Sequence, residues 1–170
     1  MRKKSYRFFT VIALTIMISS CASTIKTTGA FNLDKKINKL EIVCVTPDRV
    51  RKFSTNLCNS LKNDLTNNGI TVAVHVIDEM TPTLTEGIAD NMFTEDKDVV
   101  LKITHIRISQ YNGAPCATLM NIGMYTKSNE KKPIWVGRIQ TNGSNITGPG
   151  NPDRVSKEII NQLIADGFKF

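Results

Sequence analysis

Four cysteines and two histidines hold most of the reactive chemistry of this 170-residue chain: Cys21, Cys44, Cys58 and Cys116, with His75 and His105. No two of the cysteines form a C-x-x-C unit, so zinc or thioredoxin-like chemistry lacks its spacing. His75 and His105 each sit mid-strand among apolar neighbours, from where they could project from one sheet face and, with Cys44 or Cys116, ligate a metal. The spacing is not diagnostic, and packed or surface histidines with no metal are the expectation. No G-x-S-x-G nucleophile motif occurs. Asp78, Glu79, Glu86, Asp90, Glu95, Asp96 and Asp98 cluster mid-chain without EF-hand spacing and read as a solvated acidic loop. The run TNGSNITGPGNPDR leads into a helix N-terminus, where backbone N–H groups favour anions, with Asn151 at the cap. It lacks the lysine of a phosphate-binding loop and reads as a connection. Trp135, the single tryptophan, is either a partner-binding anchor or a core residue beside Val136 and Ile139.

Cys21 is set apart by what precedes it. The chain opens with Arg2, Lys3, Lys4 and Arg7, continues with an apolar run from Phe8 to Ile18, and reaches Ser19, Ser20 and Cys21. A basic start, a short apolar stretch and small residues at its end describe a secretory signal peptide. The run is too short for a spanning helix, which needs roughly 20 apolar residues.

Ile18-Ser19-Ser20-Cys21 resembles the bacterial lipobox, with Ile18 in the place usually held by Leu. The resemblance implies diacylglycerol on the Cys21 thiol, cleavage before it, and an N-acyl chain on the new terminus, with no other cofactor. Ala22 and Ser23 follow, with no Asp at the second mature position, and that resembles the pattern sent to the periplasmic face of the outer membrane. Stable anchoring takes at least two membrane signals, each buried CH2 contributing about 0.8 kcal/mol, and the acyl chains on one cysteine meet that need.

Removing residues 1–20 takes away four cations and reduces the formal charge from +7 to +3. The remaining Lys and Arg are scattered among acids and no nucleic-acid motif accompanies them, so nucleic acid is not an expected partner. The remaining 150 residues can bury a real core. Cys44, Cys58 and Cys116 then stay in the folded domain, where an oxidising compartment would allow one bridge and leave one thiol over. Cys44 lies in an apolar strand and Cys58 beside an apolar helical stripe, so both read as small buried hydrophobes.

Residues 21–38 carry no apolar periodicity and read as a lipidated flexible tether reaching roughly 20–25 Å, unless Ile25 and Phe31 pack on the domain. Lys39–Thr46 is a continuous β-prone run, read as a strand buried on both faces. Phe53, Leu57, Leu61 and Leu65 mark one face of a helix that Asn67-Asn68-Gly69 stops. Ile70–Ile77 is a second strand, Leu84–Met92 a short helix, and Asp98–Gln110 a strand whose inward phase shifts between Ile103 and Ile106, as a bulge does. Tyr111–Pro115 is a turn, Cys116–Thr126 a strand, Ser128–Lys132 a charged turn and Pro133–Thr141 the last strand. Asn151 caps the final helix with Pro152 at its first position, and Gly167 and Phe168 close it.

The order β-α-β-(short α)-β-β-β-α reads as an α+β two-layer sandwich, with a mixed sheet and helices on one face, forming a single domain over residues 39–170. The segments near NNGI, DVVLKI, PIWVGRI and VSKEIINQLIADGF are together similar to small envelope lipoproteins with a fold like the TolB amino-terminal domain, a group that includes the penicillin-binding protein activator lipoproteins. That resemblance implies a non-enzymatic protein, membrane-anchored and working by contact with another envelope protein as adaptor or accessory subunit. The alternative is a periplasmic module binding lipid, glycan or peptide in an apolar cavity between sheet and helices. A hydrolase with an unrecognised site is a third class.

Overall fold

The computed structural model describes residues 24–28, 36–79, 99–126, 132–143 and 148–170. The lipobox residues Ile18 to Cys21, the helix expected at Leu84–Met92 and most of the turn expected at Ser128–Lys132 lie outside them, as do five of the mid-chain carboxylates, from Glu86 to Asp98. The elements are β1 (Thr24–Thr28), β2 (Lys39–Thr46), α1 (Arg51–Asn67), β3 (Thr71–Asp78), β4 (Val99–Tyr111), β5 (Ala114–Thr126), β6 (Trp135–Asn142) and α2 (Pro152–Ala165), with a 3-10 turn at Asp48–Val50 before α1. It is a mixed α+β protein.

The six strands form one sheet in the order β1-β6-β5-β4-β2-β3. β2 runs parallel to both β3 and β4, whereas β4, β5, β6 and β1 pair antiparallel. The β2-α1-β3 crossover is the parallel part, which needs a helix to return the chain. Between β4 and β5 two residues suffice: Asn112 and Gly113 both have positive φ (50° and 80°), the geometry of a tight hairpin whose twist matches its strands.

Strand alternation sends Leu40, Ile42 and Cys44 of β2 to one side, with Leu101 and Ile103 of β4, Ile122 and Met124 of β5, and Trp135 and Ile139 of β6. These residues form one buried cluster with Leu57, Leu61 and Leu65 of α1 and Val155, Ile159 and Leu163 of α2. Each fully buried leucine contributes roughly 2 kcal/mol of hydrophobic stabilisation. A smaller cluster, Val43, Ile77 and Val100, lies on the opposite side of the sheet.

Two corrections follow for the segment before residue 39. Thr24–Thr28 is a strand paired along β6, with Ile25 against the core, so the expected tether contains an element of the fold. Ile37 is also buried, and its N–H donates to the Lys169 carbonyl at 3.1 Å. The domain therefore reaches back to residue 24. The bulge expected in β4 is present as a register shift between His105 and Arg107, which leaves Ile106 half exposed.

Candidate functional site in the sheet–helix core

The residues that bring chemistry together sit where the start of α1 crosses β2, β4 and β5. Thr46 is near the end of β2, and its side chain and that of Ser54 in the first turns of α1 are fully buried. Their hydroxyls hydrogen-bond at 2.7 Å. Ser54 also donates to the Val50 carbonyl at 3.1 Å and lies 2.9 Å from His105 Nε2. His105 Nδ1 is 2.7 Å from Thr118 Oγ1, and that hydroxyl donates to the Arg107 carbonyl at 3.2 Å. The bulge after His105 is what lets one short stretch supply both an inward ring and a carbonyl acceptor at Arg107.

The Thr46–Ser54 bond also sets the register below it. Cys44 is two strand residues before Thr46, a descent of about 6.6 Å, and Cys58 is one helical turn after Ser54, a descent of about 6 Å. Because α1 runs back along β2, the two thiols come to the same level, and Cys44 and Cys58 are in side-chain contact, each with no exposed surface. Cys44 also contacts His105 and Ser54. The Cys58 S–H, donated to Cys44, together with His105, holds the Cys44 thiol well below its usual range, at about 6, against the opposing effect of burial. Cys58 is pushed upward by that same bond and by burial. The pair thus gives up one proton easily and keeps the other.

Proton counting around His105 is constrained. Thr118 spends its hydrogen on the Arg107 carbonyl, so Nδ1 is a donor to Thr118. Nε2 faces the Ser54 hydroxyl, whose own hydrogen is shared among the Val50 carbonyl, Thr46 and the ring. The cluster is a continuous chain of polar contacts from Thr46 through Ser54 and His105 to Thr118.

Other residues singled out by sequence fall elsewhere. His75 and His105 occupy opposite sides of the sheet: His75 pairs in register with Val43, on the side away from α1, and its Nε2 lies 3.0 Å from Glu41 Oε1. Cys116 is near the β4–β5 hairpin, its thiol 3.5 Å from the Ser109 carbonyl. Among the described residues no three His, Cys, Asp or Glu side chains are placed to hold a metal. Asp78 pairs with Arg51, which also bonds Asp48 at 3.2 Å.

Trp135 is 1% exposed, and its ring meets Phe168 edge-on at 6.3 Å. It is a core residue, which corrects its reading as a partner anchor. Asn151 accepts from the N–H groups of Asp153 and Arg154 at 3.0 and 3.3 Å. It uses up donors of the helix end that an anion would need, and acts as a cap.

Sequence reasoning missed Thr46, Ser54 and Thr118. A signal existed: Ser54 and Cys58 are one helical turn apart on a stripe otherwise filled by Phe53, Leu57, Leu61 and Leu65. A second feature is a cleft of about 340 Å3 at the carboxyl ends of the parallel strands, lined by Arg49, Lys52, Phe53, Pro115, Gly150 and Pro152 among others.

No family model matches the chain, and no curated protein matches it. Among solved structures it is similar to two PelC dodecamers from Paraburkholderia phytofirmans. The first, a point variant, is 16% identical, with 85% of this chain and 97% of that chain covered and a TM-score of 0.49. The second is 14% identical, covering 85% and 96%, with a TM-score of 0.48. A DUF330 protein from Xanthomonas campestris is 11% identical over 78% of this chain and 86% of that one, with a TM-score of 0.47.

Proposed function

We propose that the chain is an envelope lipoprotein, anchored through acyl chains on Cys21 at the periplasmic face of the outer membrane. In this reading it acts without catalysis, as an adaptor or accessory subunit for another envelope protein. The likeness to small envelope lipoproteins with a TolB amino-terminal-like fold belongs to the same proposal, as does the two-layer arrangement with both helices on one face.

The observation that supports it most is the position of β1. Cys21 precedes Thr24 by three residues, and Thr24 pairs with Gln140 of β6. Three residues span at most about 11 Å, so the acyl chains hold the domain on a short leash at one sheet edge. A short leash fixes which surface a partner meets. The same end of the sheet carries the β4–β5 hairpin, where Ile106 and Tyr111 are two of the three large hydrophobic side chains most exposed among the described residues. These two side chains offer apolar positions that a partner could cover.

Labelling with radioactive fatty acid should stop in Cys21→Ala, and continued labelling of that variant sinks the anchor. Crosslinking in intact cells from a photoreactive group at Tyr111 should return one stoichiometric envelope protein. The ligand-binding alternative draws support from the cleft between Arg49, Lys52 and Pro152. A co-purifying lipid, glycan or peptide, with only background proteins crosslinked, would favour it.

A further inference from the structure

We infer that Cys44 and Cys58 form a disulfide bond linking β2 to α1 in the mature protein, with Cys116 left as the free thiol of the domain. The geometry carries this. The Thr46–Ser54 hydrogen bond at 2.7 Å brings strand and helix to matched levels, and equal descents from it bring the two sulfurs into contact. Both thiols are wholly buried in the same cluster, and Cys116 sits apart at the hairpin, bonded to the Ser109 carbonyl. Of the three pairings open to these cysteines, one is preassembled by the fold.

The chemistry is thiol–disulfide exchange with a dithiol oxidase or small-molecule disulfide as oxidant. The Cys44 thiolate attacks one sulfur of the oxidant's disulfide and displaces the other as a thiolate. Cys58 then loses its proton and attacks the Cys44 sulfur, and the remaining oxidant sulfur leaves. The two cysteines lose two electrons and two protons, and the oxidant's disulfide is reduced to two thiols. Both thiol protons pass to solvent. With no exposed surface at either sulfur, exchange takes place before α1 closes on the sheet, and once closed the bridge is shielded from reductant. The supply of oxidant rests on the envelope location proposed above, whereas the pairing does not.

The test is peptide mapping of the chain prepared in two ways. One sample is purified from the envelope and unfolded in alkylating agent without reductant. The other is reduced, unfolded and refolded in a glutathione redox buffer before the same treatment. Trypsin should release residues 40–49 joined to residues 53–62, with residues 108–127 carrying the alkylated Cys116. The joined pair should fall apart on reduction. Joining in both samples, or in the envelope sample alone, supports the bridge. Joining after refolding alone also supports the pairing and instead counts against the oxidising location. Free Cys44 and Cys58 in both samples, or a bridge to Cys116, overturns the inference. Closing a loop of about 15 residues should lower the unfolding equilibrium constant on the order of 100-fold relative to the reduced chain.

Discussion

Trp135 Nε1 donates to Asp166 Oδ2 at 2.7 Å, tying the first residue of β6 to the residue that ends α2. The indole is buried, so this N–H has no water to turn to if the acceptor is lost. Asp166 is itself held by Gln162 Nε2 at 2.9 Å. Asp166→Ala should cost about 1–3 kcal/mol, the penalty of an unsatisfied buried donor. A urea titration followed by tryptophan fluorescence measures it, and an unchanged midpoint would contradict the role given to this bond.

Gly137 lies under the same indole. A Cβ built there would stand 2.4 Å from Trp135 Cη2, so the ring occupies space that only glycine leaves open. Gly137→Ala should destabilise the protein by about 1–3 kcal/mol or more through overpacking. Combined with Trp135→Leu it should cost less than the sum of the two changes, because the clash is with the ring. Strict additivity in thermal unfolding would sink this account.

Asn151→Ala removes the acceptor for two N–H groups at the start of α2. The expected loss is about 1 kcal/mol, and Asn151→Asp or Asn151→Ser should restore most of it. Because those two variants differ in charge and share only the cap geometry, chemical denaturation of the three separates capping from any electrostatic role.

The reduced thiol pair makes the stability of the chain depend on pH. Cys44 is depressed from 9.0 to about 6 on folding, so its contribution is full above 9.0 and lost as pH falls through about 6. Cys58 is raised, so its contribution is full below 9.0 and is lost only as pH rises beyond that. Stability of the reduced chain should therefore climb from about pH 6 to about pH 8.5. Cys44→Ala should lack this component, and so should the bridged protein. Urea midpoints for the three at both pH values check it, and parallel pH profiles would contradict it.

Much of the architecture was legible because its signals are local. The α1 stripe, the Asn151 cap with Pro152, the β4 bulge and the Gly167–Phe168 ending each depend on residues within a few positions of one another. Phe168 is indeed buried, and its N–H donates to the Leu163 carbonyl at 3.0 Å. β1 was not legible, since TIKTT holds one apolar residue and its ladder is with residues 136–140, far along the chain. Nor were the faces of the two histidines. Their parity depends on the parallel pairing of Val43 with His75 and on the β4 bulge falling after His105. The thiol cluster depends on the crossing of a helix over a strand. Each cysteine alone looked like a small hydrophobe.

The placement of β1 also has a mechanical consequence. It runs antiparallel to β6 with Thr24 opposite Gln140 and Thr28 opposite Val136, while Asp166 and Phe168, near the chain's end, pack at Trp135, the opposite end of β6. Tension drawn between residue 24 and residue 170 therefore runs lengthwise along this ladder and loads its rungs in shear, all together, instead of peeling them one by one.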